Sequence, residues 1–235
     1  GRALTGDEIH GIVDAFGDAA ERTMDAGFDG VMIHGAHGYL VSQFLSGLTN
    51  GRTDEYGGSP RNRMRFLIEV YDEIRDRVGP SFPVLVKMNC DDFSPDGFTV
   101  EDSVKVALAM AKRGMDLIEI SGGGMGQVRE LRLTRGKSDD PRFSEANFAG
   151  HAEKIHKAIS PTPMGLVGGI RTRRCMEALL ERGITEMISM SRPFIREPEL
   201  VRSLETSQLE ATCISCNECS RQGSSGKMML MCYQN

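Results

Sequence analysis

The sequence predicts an alternating α/β fold of the barrel class, on three observations: strand-length apolar runs alternate with amphipathic helical stretches, the helix-to-strand junctions repeat one pattern, and every strand ends in a polar or glycine-rich cluster. The apolar runs at 30–34, 84–89, 117–121, 164–167 and 187–190 read as buried parallel strands, being continuous and too short for helices. The first helix keeps Ile9, Ile12, Val13, Phe16, Ala19, Ala20 and Met24 to one face. A capping box from Thr5 to Glu8 opens it and Gly27 closes it, while Thr99 and Thr172 stand as N-caps of two later helices.

The junctions Ala26-Gly27-Phe28-Asp29, Arg113-Gly114-Met115-Asp116 and Arg182-Gly183-Ile184-Thr185 each end a helix with glycine and lead into a strand. Such a recurring unit fits either an open doubly wound sheet or a barrel. The clusters favour the barrel. His34-Gly35-Ala36-His37, Lys87-Met88-Asn89, Ser121 to Gly124, Gly168 to Arg171 and Ser191-Arg192 all lie at carboxyl ends of strands. A barrel gathers its site from all strand ends, whereas an open sheet uses only those near its switch point. The expected fold is therefore a TIM (β/α)₈-type barrel, partial, with about five βα units over 1–207 and a cysteine-rich tail over 208–235.

With 235 residues, 40% hydrophobic and 26% charged, the chain can bury a core without disulfides. A net charge of −5 and the lack of any basic block argue against nucleic-acid or membrane-surface partners. No apolar run approaches the roughly 18 residues of a membrane span, and no signal-peptide pattern opens the chain. Of six cysteines, Cys90 and Cys175 stand alone, whereas Cys213, Cys216, Cys219 and Cys232 form C-x2-C-x2-C-x12-C. That spacing suits metal in a reducing cytoplasm better than disulfides; four thiolates can hold either a [4Fe–4S] cluster or a structural zinc.

One stretch is more specific than any of these. Ile33-His34-Gly35-Ala36-His37-Gly38-Tyr39-Leu40, Gln43-Phe44-Leu45, the run Thr49 to Ser59, and then Asn62-Arg63 and Arg65-Phe66 together resemble the signature of old yellow enzyme-type flavoproteins. The likeness continues through each later strand. It implies strands 4–8 of the family barrel, a chain opening at the helix before the fourth strand, and bound FMN reduced by NADH or NADPH, by an iron–sulfur cluster, or by both. The cysteine tail resembles the iron–sulfur branch of that family, which implies the [4Fe–4S] cluster.

The resemblance also assigns roles. His34 and His37 match the pair that holds a substrate oxygen; two N–H donors there would stabilise the enolate-like charge formed as hydride adds to a conjugated carbon. Tyr39 matches the proton donor, since a phenol keeps its proton at neutral pH. Lys87 ends an apolar strand, where a buried cation needs an anionic partner, and matches the basic residue near flavin N1, commonly arginine. Gly168, Gly169, Ser191 and Arg192 match the FMN phosphate site, with Ser191 replacing the family's usual glycine. Arg52, Asp54 and Arg63 are expected to form a loop-holding network, and the loop 127–144 to cover substrate or receive the nicotinamide.

The expected activity is reduction of C=C bonds in small α,β-unsaturated carbonyl compounds. Two alternatives stand beside it: an amine-dehydrogenase-type flavoenzyme of the same family, and a non-catalytic piece that self-associates through open sheet edges. A homo-oligomer or a redox partner domain is compatible with either enzyme.

Overall fold

The computed structural model describes residues 2–123, 139–219 and 231–234. Five strands, β1 (Val31–Gly35), β2 (Val84–Asn89), β3 (Leu117–Ser121), β4 (Met164–Val167) and β5 (Met187–Ser189), form one sheet in sequential order. All four pairings are parallel. Helices α1 (Gly6–Asp25), α4 (Arg65–Val78), α5 (Val100–Lys112), α6 (Ala149–Ile159) and α7 (Arg173–Glu181) alternate with the strands, and α2 (Leu40–Leu45), α3 (Pro60–Arg63), α8 (Arg192–Arg196) and α9 (Leu200–Thr206) are short additions. This is the repeating unit of a TIM-type barrel, present in part. Among the described residues β1 and β5 each have a single neighbour. The first strand lies one residue later than the apolar run suggests and the last stops one residue earlier.

Local chemistry accounts for the helix ends. Thr5 accepts from the Glu8 N–H while the Glu8 carboxylate accepts from the Thr5 N–H, so the capping box is complete. Thr99 caps α5 through Asp102 N–H, and Thr172 caps α7 through Cys175 N–H. Gly27, Gly114 and Gly183 take φ values of 81°, 88° and 62°, the left-handed region that ends each helix. Ile9, Val13 and Ala20 of α1 are buried, with Ile12, Phe16 and Met24 half-buried; Ala19 instead faces solvent.

Strand alternation sorts side chains between two faces. Ile33, Val84, Val86 and Met88 are buried and join the helices in one core, each such side chain stabilising the fold by roughly 1.5–3 kcal/mol. On the other face Met32 and His34 are exposed and Leu85, Lys87 and Leu117 half-buried. That half-open face, together with the strand ends, holds every candidate barrel residue of interest.

The expected Arg52–Asp54–Arg63 network divides in two. Arg52 pairs with Asp54 at 2.5 Å and donates to Leu4 O at 2.7 Å. Arg63 pairs instead with Asp102 at 2.8 Å and donates to Leu45 O and Gly58 O, pinning the β1–α4 connection onto α5. Gly57 is required by its setting, because a Cβ there would run into the Arg52 backbone carbonyl. Residues 127–138 of the long loop lie outside the described residues.

Candidate active site

β1 delivers His34 to the half-open face, and the turn after it brings His37 and Tyr39 alongside. The His34 and His37 ring centroids are 5.4 Å apart, and those of His34 and Tyr39 5.1 Å. This turn is sharp because His37 takes φ 64° and Gly38 φ 78°. Asn89 Oδ1 accepts from the His37 N–H at 3.2 Å, and Ser121 Oγ lies 2.7 Å from His37 Nε2. Asn89 is itself clamped by Asp92 Oδ1 and Gly123 O. Asn89 and Ser121 were visible in the sequence only as members of polar clusters; the structure makes them the fixings of His37. Tyr39 precedes α2 as its N-cap and is 55% exposed.

Removal from water, and then the charge of Lys87, hold the His34 imidazole below its ordinary pKa of 6.5. His34 is therefore neutral at physiological pH, carrying one ring N–H. For His37 to donate from Nδ1, Ser121 Oγ–H must donate to Nε2, which places the ring proton on Nδ1.

Lys87 stands beside His34 in register. Its anionic partner in this structure is Glu119 of β3, with Nζ 2.8 Å from Oε1. Sequence reasoning left this carboxylate unnoticed and looked to the flavin for that partner.

Further along the strand ends, Gly168 (φ 137°) and Gly169 (φ 74°) follow β4. A Cβ on Gly168 would meet the Phe148 ring at 2.8 Å, and one on Gly169 would meet the Asn147 amide, so both positions need glycine for packing as well as for φ. Ser191 is the N-cap of α8, and Arg192 opens that helix. Arg192 Nη1 donates to Asn217 Oδ1 at 2.5 Å, inside the cysteine run. The buried Arg171 reaches the same run through Ser215 Oγ at 3.0 Å.

The tail thus docks on the strand ends. Thr172 pairs antiparallel with Glu210, Arg173 N donates to Leu209 O, and Ala211 N donates to Arg171 O. Glu197 holds both Gln208 and the Thr212 N–H. Cys213, Cys219 and Cys232 are buried and Cys216 is exposed. Among the described residues no three His, Cys, Asp or Glu side chains stand together closely enough to hold a metal ion. Cys90 and Cys175 are separate, buried thiols; burial, and then Glu145, push Cys175 up to about 12, which suits packing rather than reaction.

A parallel barrel sheet that gathers two imidazoles, a phenol and cations at its strand ends has the build of a barrel enzyme working at that rim. The chain belongs to the NADH:flavin oxidoreductase / NADH oxidase family, whose model matches residues 1–210. It is 36% identical over 203 residues to the NADH-dependent flavin oxidoreductase nadA of Aspergillus parasiticus, covering 86% of this chain and 45% of that protein. Among solved structures it resembles 2-naphthoyl-CoA reductase in complex with 2-naphthoyl-CoA (TM-score 0.79, 28% identity, 92% of this chain and 32% of that one). It also resembles the 6-hydroxypseudooxynicotine amine oxidase of Pseudomonas geniculata N1 (TM-score 0.82, 26% identity, 95% and 33%). The chain thus spans about a third to a half of the length of the proteins it matches.

The family implies a flavin, and the donor set fits one. Lys87 and His34 stand side by side on the half-open face, while the Gly168-Gly169 turn follows β4 and Arg192 opens the helix after β5. In the cysteine run, by contrast, the thiols as placed do not form a coordination shell. No helix among the described residues is long and apolar enough to cross a membrane.

Proposed function

We propose that this chain forms the catalytic rim of an FMN-dependent, NAD(P)H-driven reductase acting on C=C bonds conjugated to a carbonyl. The observation that supports this most is the packing of His37 and Tyr39 against His34 at the β1 end. FMN, when bound and reduced, supplies hydride to the β-carbon of such a substrate. His34, kept neutral, and His37, fixed by Asn89 and Ser121, each donate an N–H to the carbonyl oxygen and stabilise its developing charge. Tyr39 delivers its phenolic proton to the α-carbon. Lys87 would supply the cation beside the flavin ring, and Arg192 with Gly168, Gly169 and Ser191 would hold the phosphate.

The amine-oxidising reading draws on the likeness to the amine oxidase. Two imidazole N–H donors beside a phenol favour a carbonyl oxygen over an amine, and so favour reduction. We propose that the cysteine tail over 208–235 is a separate metal-taking segment, on the strength of its spacing; no step of the reduction is routed through it.

The test uses the whole protein purified with its flavin. Yellow absorbance, followed by anaerobic bleaching with NADH or NADPH and re-oxidation by cyclohexenone, is the expected result. Bleaching by secondary or tertiary amines, with no response to enones, would replace this reading with the amine one.

A further inference from the structure

We infer that Glu119 is a positioning residue for Lys87: its carboxylate fixes where the ammonium stands beside His34 and offsets part of its charge on the face where the flavin is to lie. This inference rests on the proposed flavin site.

The sheet register sets it up. His34, Lys87, Glu119, Gly165 and Met187 stand side by side across five strands, so their side chains share one face. Lys87 Nζ lies 2.8 Å from Glu119 Oε1, and Ser189 Oγ donates to Glu119 Oε2 at 3.2 Å. Ser189 can reach across because Gly165 has no side chain: a Cβ there would meet Met187 Cε at 2.8 Å and Glu119 Cγ at 3.4 Å. Glu119 is 3% exposed, and its pairing with both neighbours is what such burial of a carboxylate demands. Lys87, half-buried, is the more accessible partner, and its strand position lies beside His34. A lysine is a flexible point charge, unlike the planar guanidinium of arginine, so the carboxylate supplies the fixed direction the side chain lacks.

The charge on Lys87 is therefore felt in two places, at His34 and at the proposed flavin edge, and Glu119 moderates both. Around His34 the other facing groups are His37 and Tyr39, neither of which changes when Glu119 is replaced.

The experiment compares wild type, Glu119→Gln, Glu119→Asp and Lys87→Met, with thermal melting to confirm folding. In flavin-free protein, NMR titration of the His34 ring should move to lower pH in Glu119→Gln, where the ammonium loses its partner, and to higher pH in Lys87→Met. In protein loaded with flavin, Glu119→Gln should raise the equilibrium constant for two-electron flavin reduction about tenfold, or ~30 mV. Glu119→Asp should restore most of the wild-type value. A Glu119→Gln protein that folds yet shows wild-type His34 titration would overturn the inference, as would a flavin potential equal to wild type. If no variant binds flavin, the flavin reading fails, and the His34 titration alone decides for or against Glu119.

Discussion

Arg192 donates to Asn217 Oδ1 over 2.5 Å, which joins the turn after β5 to the middle of the cysteine run. The same guanidinium is the proposed phosphate ligand. Arg192→Ala should therefore weaken FMN binding by about tenfold to a hundredfold, since a charged hydrogen bond contributes roughly 1.5–3 kcal/mol. Asn217→Ala should leave FMN affinity equal or tighter while making residues 208–219 easier to cleave by protease. Fluorescence titration and limited proteolysis read the two effects; equal FMN loss in both variants would contradict the division of roles.

Replacing His34 and His37 together with Ala should slow re-oxidation by an enone by about 10²-fold or more while flavin reduction by the nicotinamide stays near wild type. Stopped-flow absorbance separates the two half-reactions. Ser121→Ala should reproduce part of the loss, because it frees the His37 tautomer. Equal slowing of both half-reactions would make the histidines flavin-binding or structural.

His151 sits near the start of α6, where its ring contacts Asp139, and Asp139 also accepts from the Gly150 and His151 N–H groups. The hydrogen bond to Asp139 outweighs burial and holds the His151 pKa above its ordinary 6.5. A raised pKa in the folded state gives stability that is full below 6.5 and is lost as pH rises through the folded value. Wild-type melting temperature should fall across that window, and His151→Gln should flatten the fall. A profile of the same slope in the variant would show that the pair does not titrate with folding.

If the cysteine tail takes up a [4Fe–4S] cluster, anaerobic preparation should give brown protein with about four irons per chain. Cys216→Ser should lose them. Zinc in reconstituted native protein would assign the tail a structural role and leave the flavin site untouched.

The sequence made the strands legible because a fully buried parallel strand needs a continuous apolar run, and the helix ends because caps are local chemistry. His34, His37 and Tyr39 stood out through the family resemblance of the one short stretch they share, and the structure places their rings together. Glu119 did not stand out. It sits 32 residues from Lys87, and only the register of β2 with β3 brings the two together. Alternation tells which face a side chain takes but not who stands beside it. Arg63 shows the same limit: nearby Asp54 looked like its partner, but the fold supplies Asp102. The contacts of Arg171 and Arg192 with the tail likewise depend on how 208–219 folds back over the β4 and β5 ends, which no local pattern encodes.

The pinning of the tail has a kinetic consequence. Residues 208–212 are fastened by Arg171, Arg173 and Glu197, and Ser215 and Asn217 are held by two arginines, so the run from Cys213 to Cys219 is delivered as one pre-ordered strap. The three thiols of that strap, as placed, form no coordination shell, so a metal could gather them only by drawing Ser215 and Asn217 away from their arginines. Cutting the strap free of Arg171 would then speed metal uptake, and the two arginine contacts act as a brake on it.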